Sequence, residues 1–456
     1  MFYSIHMSEL VSKIRLQFLS RGVLGARDLA EALKVSQPTI SRALCSMDAS
    51  LLRIGRGPTT RYGLASPIGD RGHSWPLYLI DPLGAPREIG VLHSLAGPAW
   101  WLESASGLPW QSLTGSEFSD SIFPGLPWFL DDLRPQGFLG RAFARRHGTL
   151  LGVGNDPVNW SERAVAESLL RFGGDLPGGF VLGREALAGA LQSFHSETIW
   201  VDSRKEDYPR LAAEALAGGL PRSSAGGEQP KFTVTVQKHD GPHSVIVKFS
   251  PPLSTPEGER WADLLAAEAM ASSVLADAGF HAAEIECIDA GGRRFLEVTR
   301  FDRTQNGGRI PFVSLSAHDA AFFGEMNTPW SDAAERLHSK GWLQRRDADR
   351  LASLWRFGRL IANTDMHYGN AALILSERPP LQLAPVYDML PMAYRPGAEN
   401  MIPGLSDDAL AVARSEIAAT PERELAAKFW RHVSNAAQIS ESFRKIATAH
   451  AAALLG

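Results

Sequence analysis

The chain has 456 residues, 44% of them hydrophobic and 21% charged, with a formal net charge of −4. That length exceeds what one hydrophobic core organises, so two or three domains are expected. No apolar run approaches the roughly 18 residues of a membrane span, the opening MFYSIHMSEL lacks the basic and apolar regions of a secretory signal, and the two distant cysteines, Cys45 and Cys287, exclude a disulfide framework and any CxxC metal site; a cytoplasmic protein without a membrane role is expected.

The charge is uneven. Residues 7–65 hold nine Lys and Arg against four Asp and Glu, a net of +5, which leaves −9 for the remainder. A small basic module on an acidic body points to a polyanionic partner at the N-terminal module alone. Leu10, Ile14 and Phe18 keep a four-residue spacing and predict a first helix, ended by Gly22. Ala26 to Lys34 predict a second, with Leu29, Ala30 and Leu33 inward. Ser36 then caps a third, Pro38 to Met47, with Pro38 in its first turn. The hairpin LLRIGRGPTTRYGLA follows. This is the pattern of a winged helix-turn-helix over 7–65, whose recognition helix offers Gln37, Thr39 and Arg42 to DNA and whose wing offers Arg53, Arg56 and Arg61. The same geometry also serves in packing modules; basic residues on the recognition helix and wing favour DNA.

Residues 66–76, SPIGDRGHSWP, read as a linker because they are rich in turn formers. The stretch 77–195 has short strand-like pieces (LYLI, IGVLHSL, WWLES) and no readable function, and its Trp100, Trp101, Trp110 and Trp128 read as core or interface packing. KFTVTVQK, the turn HDGPH and SVIVKF predict an antiparallel hairpin. The helix ERWADLLAAEAMASSVLADAGF and the strands AEIECIDAG and RRFLEVTRFDR follow, and from about residue 330 the chain is mainly helical. The expectation is an α+β fold with a β-rich half, 77–300 (subdivided 77–195 and 196–300), before a helical half, 301–456, in the order of a two-lobed kinase.

Three clusters point to phosphoryl transfer. In SSAGGEQPKF, residues 223–232, Gly226 and Gly227 permit backbone conformations that turn amide N–H groups toward phosphate oxygens. The loop is neither a Walker A sequence nor GxGxxG. Lys248 ends an apolar strand, where kinases keep a lysine for nucleotide phosphates, and Glu268 in the next helix is the candidate carboxylate to hold it. In IANTDMHYGNAALIL, Asp365 and Asn370 have the D-x-x-x-x-N spacing of a kinase catalytic loop, and Asp388 follows eighteen residues after Asn370, behind an apolar strand. Two carboxylates and an amide suit Mg²⁺, a hard ion that shares its shell with nucleotide phosphates. His367 either touches nucleotide or packs.

Taken in order, residues 223–232, VIVKFSPP, LEVTRFDR, NTDMHYGN and VYDML resemble successive motifs of HipA-type serine/threonine kinases, the toxins of bacterial type II toxin–antitoxin systems, over about residues 80–430. The added helix-turn-helix makes the chain similar to the YjjJ-type subgroup. The resemblance implies a HipA and protein-kinase-like fold with ATP and Mg²⁺ as cofactors. It implies Asp365 as catalytic aspartate and Asn370 and Asp388 as magnesium ligands. Lys248, Lys231 and Tyr387 would be nucleotide contacts, and Val298 to Phe301 the hinge beside adenine. Ser224, with Ser223 as the near alternative, falls on the family's autophosphorylated serine. Where a polar Gln-Glu-Asp triplet is expected after the hinge, the chain has Ala317-His318-Asp319. The implied partners are DNA, a protein substrate such as a translation factor, and a second copy of the chain in a homodimer; fusion of the DNA-binding module puts the need for a separate antitoxin in question. The competing readings are a DNA-binding transcriptional regulator with an inactive, nucleotide-sensing kinase fold, and a small-molecule kinase.

Overall fold

A computed structural model of the chain describes residues 2–105, 110–118, 120–193, 198–218, 229–326, 328–397, 401–405, 407–415 and 419–455. The N-terminal residues form α1 (Phe2–Arg21), β1 (Leu24–Gly25), α2 (Ala26–Leu33), α3 (Gln37–Ser46), β2 (Leu51–Ile54) and β3 (Arg61–Leu64). The strands pair antiparallel in the order β1-β3-β2. The apolar stripes read from the sequence meet here: Ile14, Phe18, Leu29, Ile40 and Ala43 are completely buried together. Ser36 caps α3, its hydroxyl accepting the Thr39 N–H at 3.4 Å and sharing a 2.8 Å bond with the Thr39 hydroxyl. Thr39, expected as a DNA contact, therefore spends its hydroxyl on the helix start.

The segment 66–76 is not a linker. Ala65 bridges Leu95, the Ser66 N–H donates to the Ser94 carbonyl at 2.9 Å, and the Arg163 guanidinium holds the carbonyls of Ser66 and Pro67. Ile68 is buried, and its turn residues close a tight reversal in which the Ile68 N–H reaches the Gly72 carbonyl at 2.8 Å. The turn-rich composition thus encodes a fixed turn. Ile54 shares an apolar cluster with Leu95 and Ala99 of the next sheet. Gly22, at φ +75°, comes so near that a Cβ there would stand 3.1 Å from that of Ala99. The N-terminal module is thereby fixed to the body.

The middle region comprises β4 (Ser74–Ile80), β5 (Pro86–Ser94), β6 (Ala99–Ser104), α4 (Gln111–Thr114), β7 (Ile122–Pro124), α5 (Gly137–His147), α6 (Glu162–Phe172), β8 (Phe180–Leu182) and α7 (Arg184–Ser193), its sheet ordered β7-β6-β5-β4-β8. Trp100 and Trp128 are buried in its core, as packing residues should be, and Trp101 stacks on His93.

Next come β9 (Thr198–Trp200), α8 (Arg204–Leu216), β10 (Lys231–Lys238), β11 (Gly241–Phe249), α9 (Pro256–Asp277), β12 (Ile285–Ala290) and β13 (Arg293–Thr299). They build a sheet ordered β12-β13-β11-β10-β9 in which the β9–β10 pair is parallel. The chain closes with β14 (Phe312–Ser314), α10 (Leu315–Phe322), α11 (Trp330–Ser339), α12 (Arg345–Leu360), β15 (Ala372–Ile374), β16 (Gln382–Leu383), α13 (Asp407–Ala413), α14 (Glu422–Asn435) and α15 (Glu441–Leu455). The fold is mixed α+β. One apolar core runs from the middle sheet through α9 into the C-terminal helices. Among the described residues no helix is long and apolar enough to cross a membrane.

Candidate active site

The hairpin register sets Lys231 of β10 directly opposite Lys248 of β11. Two ammonium groups facing across a sheet repel unless carboxylates intervene. Here α9, capped by Thr255 and with Pro256 in its first turn, brings in Glu268. The Lys248 Nζ donates to both carboxylate oxygens of Glu268, at 2.6 and 2.9 Å, and also pairs with Asp388. Lys231, Lys248 and Glu268 are all buried. Burial opposes the charge on Lys248, but Asp388 and Glu268 outweigh it and raise its pKa above the ordinary lysine value. Burial likewise opposes ionisation of Asp388, yet Lys248 and then Lys231 hold its carboxyl below the usual range. For Glu268 burial wins, and its pKa rises despite Lys248.

Asp388 sits at φ +53°, in the left-handed region that Asp and Asn tolerate better than other side chains. Asn363, buried after α12, ties two loops together: its Oδ1 accepts the Asp365 N–H at 3.0 Å and its amide nitrogen donates to the Asp388 carbonyl at 3.4 Å. The Asn370 side chain in turn donates to the Asp365 carbonyl at 2.8 Å. Gly358 on α12 lets both loops approach the helix, since a Cβ there would overlap the side chain of Met366 and stand 3.1 Å from Met389 Sδ. His367 is exposed; its Nδ1 accepts the Gly369 N–H at 3.0 Å and caps the turn Tyr368–Asn370. The Tyr387 hydroxyl donates to the Gly369 carbonyl at 3.0 Å, and its ring stacks on Phe301 with centroids 5.9 Å apart.

A cavity of about 380 Å³ opens over this arrangement. Its walls bring together Lys231, Lys248, Glu268, Val298, Phe301, His367, Asn370, Tyr387 and Asp388, so every described residue expected to meet nucleotide or metal lines one space. Asp365 is not on that lining; it is joined to it through Asn370. Gly226, Gly227, Ser223 and Ser224 lie outside the described residues.

Sequence reasoning missed part of the lining: Asp131, Asp132, Arg134 and Gln136 from the middle region, and Asp302 and Ser314 beyond the hinge. Asp132 accepts from the Ser314 N–H at 2.6 Å and its hydroxyl at 2.7 Å, yet burial pushes its pKa up to about 6. Of the triplet that departs from the expected Gln-Glu-Asp, Ala317 reaches the cavity. His318 and Asp319 are completely buried, the His318 ring packed against Trp128, Phe322 and Trp342.

The residues expected to meet DNA stand apart from this cavity. Gln37, Arg42, Arg53 and Arg56 are exposed. Arg61 departs from the expectation: it is ion-paired with Asp120 of the middle region, so its charge is already matched within the protein.

Comparison with known proteins finds relatives along most of the chain. Residues 71–221 match a family described as the YjjJ-like toxin middle domain, and residues 223–454 match the HipA-like C-terminal domain. Toxin YjjJ of Escherichia coli (strain K12) is 38% identical over 447 residues, covering 97% of this chain and 96% of the relative. Among solved structures, the Shewanella oneidensis MR-1 HipA in a complex with HipB and operator DNA is 16% identical with a TM-score of 0.48, covering 84% of this chain and 96% of that one. The Helicobacter pylori proinflammatory kinase CtkA is 13% identical with a TM-score of 0.31, covering 50% of this chain and 90% of that one. With a relative of 38% identity matched along nearly its whole length, and two family domains matched over residues 71–221 and 223–454, this chain belongs to the YjjJ-like branch of the HipA-type toxins.

Proposed function

We propose that this protein is an ATP-dependent protein serine/threonine kinase that acts as a toxin and binds DNA through its N-terminal module. The observation that carries the kinase reading is the buried contact of Lys248 with Glu268 and Asp388 on the wall of a cavity that also holds Asn370. Lys231 and Lys248 place two positive charges where the phosphates of ATP would lie. Val298 and Phe301 with Tyr387 offer an apolar and aromatic wall for the base.

The donor set fits Mg²⁺, since Asn370 and Asp388 supply hard oxygen ligands on the same lining. Asn370 and Asp388 would hold the ion, which would supply positive charge against the negative charge that develops during transfer. Asp365, with its backbone fixed by Asn363 and Asn370, accepts the hydrogen bond of the acceptor hydroxyl and orients it for attack. Positioning and electrostatics, not covalent chemistry, are what this arrangement supplies.

Incubation of the full chain with γ-labelled ATP and a cell lysate tests the reading. Transfer to protein serine is expected, and Asp365→Asn should abolish it while ATP still binds. Near-normal transfer by that variant would remove Asp365 from the mechanism, and ATP binding without any transfer would leave a nucleotide-sensing regulator. For DNA, three helices with an antiparallel β-ribbon and exposed Gln37, Arg42, Arg53 and Arg56 support a winged helix-turn-helix.

A further inference from the structure

The middle-region loop that precedes α5 enters the cavity although no nucleotide-binding pattern marks it. Asp132 is its anchor. Both donors of Ser314, the backbone N–H at 2.6 Å and the hydroxyl at 2.7 Å, point to the Asp132 carboxylate. Ser314 ends β14 and caps α10, its Oγ accepting the Ala317 N–H at 3.1 Å. Two residues earlier, Phe312 packs on Phe301 at 4.9 Å, the wall assigned above to the base. The same cavity also holds Lys231, Lys248 and Asn370, assigned above to the phosphates and the metal. The carboxylate therefore stands near the base wall, in the space that the wall shares with the lysines assigned to the phosphates.

Between the base and the phosphates of a nucleotide lies a sugar with two neighbouring hydroxyls, both hydrogen-bond donors. An ionised carboxylate, which only accepts and has about four lone-pair sites, is the side chain suited to read them. Ser314 uses two of those sites and leaves capacity toward the cavity that Asp132 lines. The helix after the hinge offers no acidic group there, because Ala317 reaches the cavity while His318 and Asp319 are buried away from it.

We propose that Asp132 determines nucleotide specificity: the middle region contributes it to the site, where it accepts hydrogen bonds from the ribose hydroxyls and selects ribonucleotides over deoxyribonucleotides. This rests on the kinase reading above, and it makes the middle region part of the active site instead of a support for it.

The test is calorimetric binding of ATP, 2′-deoxy-ATP and 3′-deoxy-ATP to the full chain with Mg²⁺. The wild type should bind ATP about tenfold more tightly than at least one deoxy analogue, the effect of one charge-assisted hydrogen bond. Asp132→Asn, which keeps an acceptor for Ser314, should bind ATP as weakly as that analogue and leave the analogue's own affinity unchanged. Equal wild-type affinity for all three nucleotides would overturn the inference, and this comparison needs no variant to fold. Asp132→Asn weakening all three alike would also overturn it, reducing Asp132 to a docking contact. If the wild type binds none of them, the kinase reading fails and the inference with it, an outcome distinct from equal binding.

Discussion

Replacing Asp388 by Asn separates the metal role of this residue from its role in the charge balance of the cavity. The lining holds five carboxyl groups, Asp131, Asp132, Glu268, Asp302 and Asp388, against four cations, Arg134, Lys231, Lys248 and Arg300, a formal −1. A cavity with that balance attracts a tetra-anionic nucleotide poorly unless a cation enters with it. Asn tolerates the left-handed backbone at φ +53°, and Lys248 keeps both bonds to Glu268, so the local fold should survive. Removing one like charge about 5 Å from a phosphate is worth about 3 kcal/mol at an effective dielectric constant near 20, and about 1–2 kcal/mol after screening, or roughly 5- to 30-fold in affinity. Asp388→Asn should therefore bind free ATP more tightly than the wild type does, while losing the gain in affinity that Mg²⁺ confers. Calorimetry with ATP in excess EDTA and then in millimolar Mg²⁺ reads both effects. Equal weakening under the two conditions would refute the argument, because it would mean that the substitution had merely damaged the site.

Gly358→Ala should cost about 1–3 kcal/mol in denaturant unfolding, as overpacking of a buried site does, and should lower phosphate transfer further than that because Met366 and Met389 adjoin Asp365 and Asp388. Asp132, whose pKa rises from 3.8 to about 6 on folding, holds its proton more tightly in the native state. Its contribution is therefore complete below about pH 4 and lost as pH rises through 6, by up to about 3 kcal/mol. Asp132→Asn should accordingly flatten the fall in stability between pH 5 and 7.5, followed by chemical denaturation at each pH. For DNA, Arg42, Arg53 and Arg56 are exposed, so one module should give a log–log salt slope near −3, and about twice that as a dimer on two half-sites. Arg56→Ala should flatten it by about one in anisotropy titrations, whereas Arg61→Ala should leave it nearly unchanged because Asp120 already matches that charge.

Local patterns carried the parts of the site that are close in sequence. The alternation in KFTVTVQK and SVIVKF set the hairpin, hence Lys231 opposite Lys248, and the spacing from Asp365 to Asn370 set the loop. Glu268 was legible because a lysine at a strand end needs a carboxylate and the next helix offered one. The Asp132–Ser314 contact spans 182 residues and leaves no periodicity in either segment, which is why no function is readable in the middle region from sequence. Residues 66–76 misled for a different reason: turn formers mark a change of direction, and composition does not say whether the turn is packed. Ile68 and the carbonyls bound by Arg163 show that it is. Arg61 lies in the β2–β3 ribbon read from the sequence, but its ion pair with Asp120, 59 residues away, leaves no local pattern.

The distances along the chain that hid the site also time its completion during synthesis. Lys248 and Glu268 leave the ribosome more than a hundred residues ahead of Asp388, and the N-terminal module with its Leu95 and Ala99 platform leaves far earlier. Domains of a growing chain fold in that order. Until the last helices arrive, α9 lacks α14 beside it, and the Arg294 guanidinium and the Asp263 carboxylate lack the Gln438 carbonyl and Ser440 that they hold in the finished protein. Under the proposed reading a prematurely terminated chain can carry a formed N-terminal module and no working transferase, so a nonsense fragment of this toxin would be harmless to the cell that made it and still able to occupy DNA.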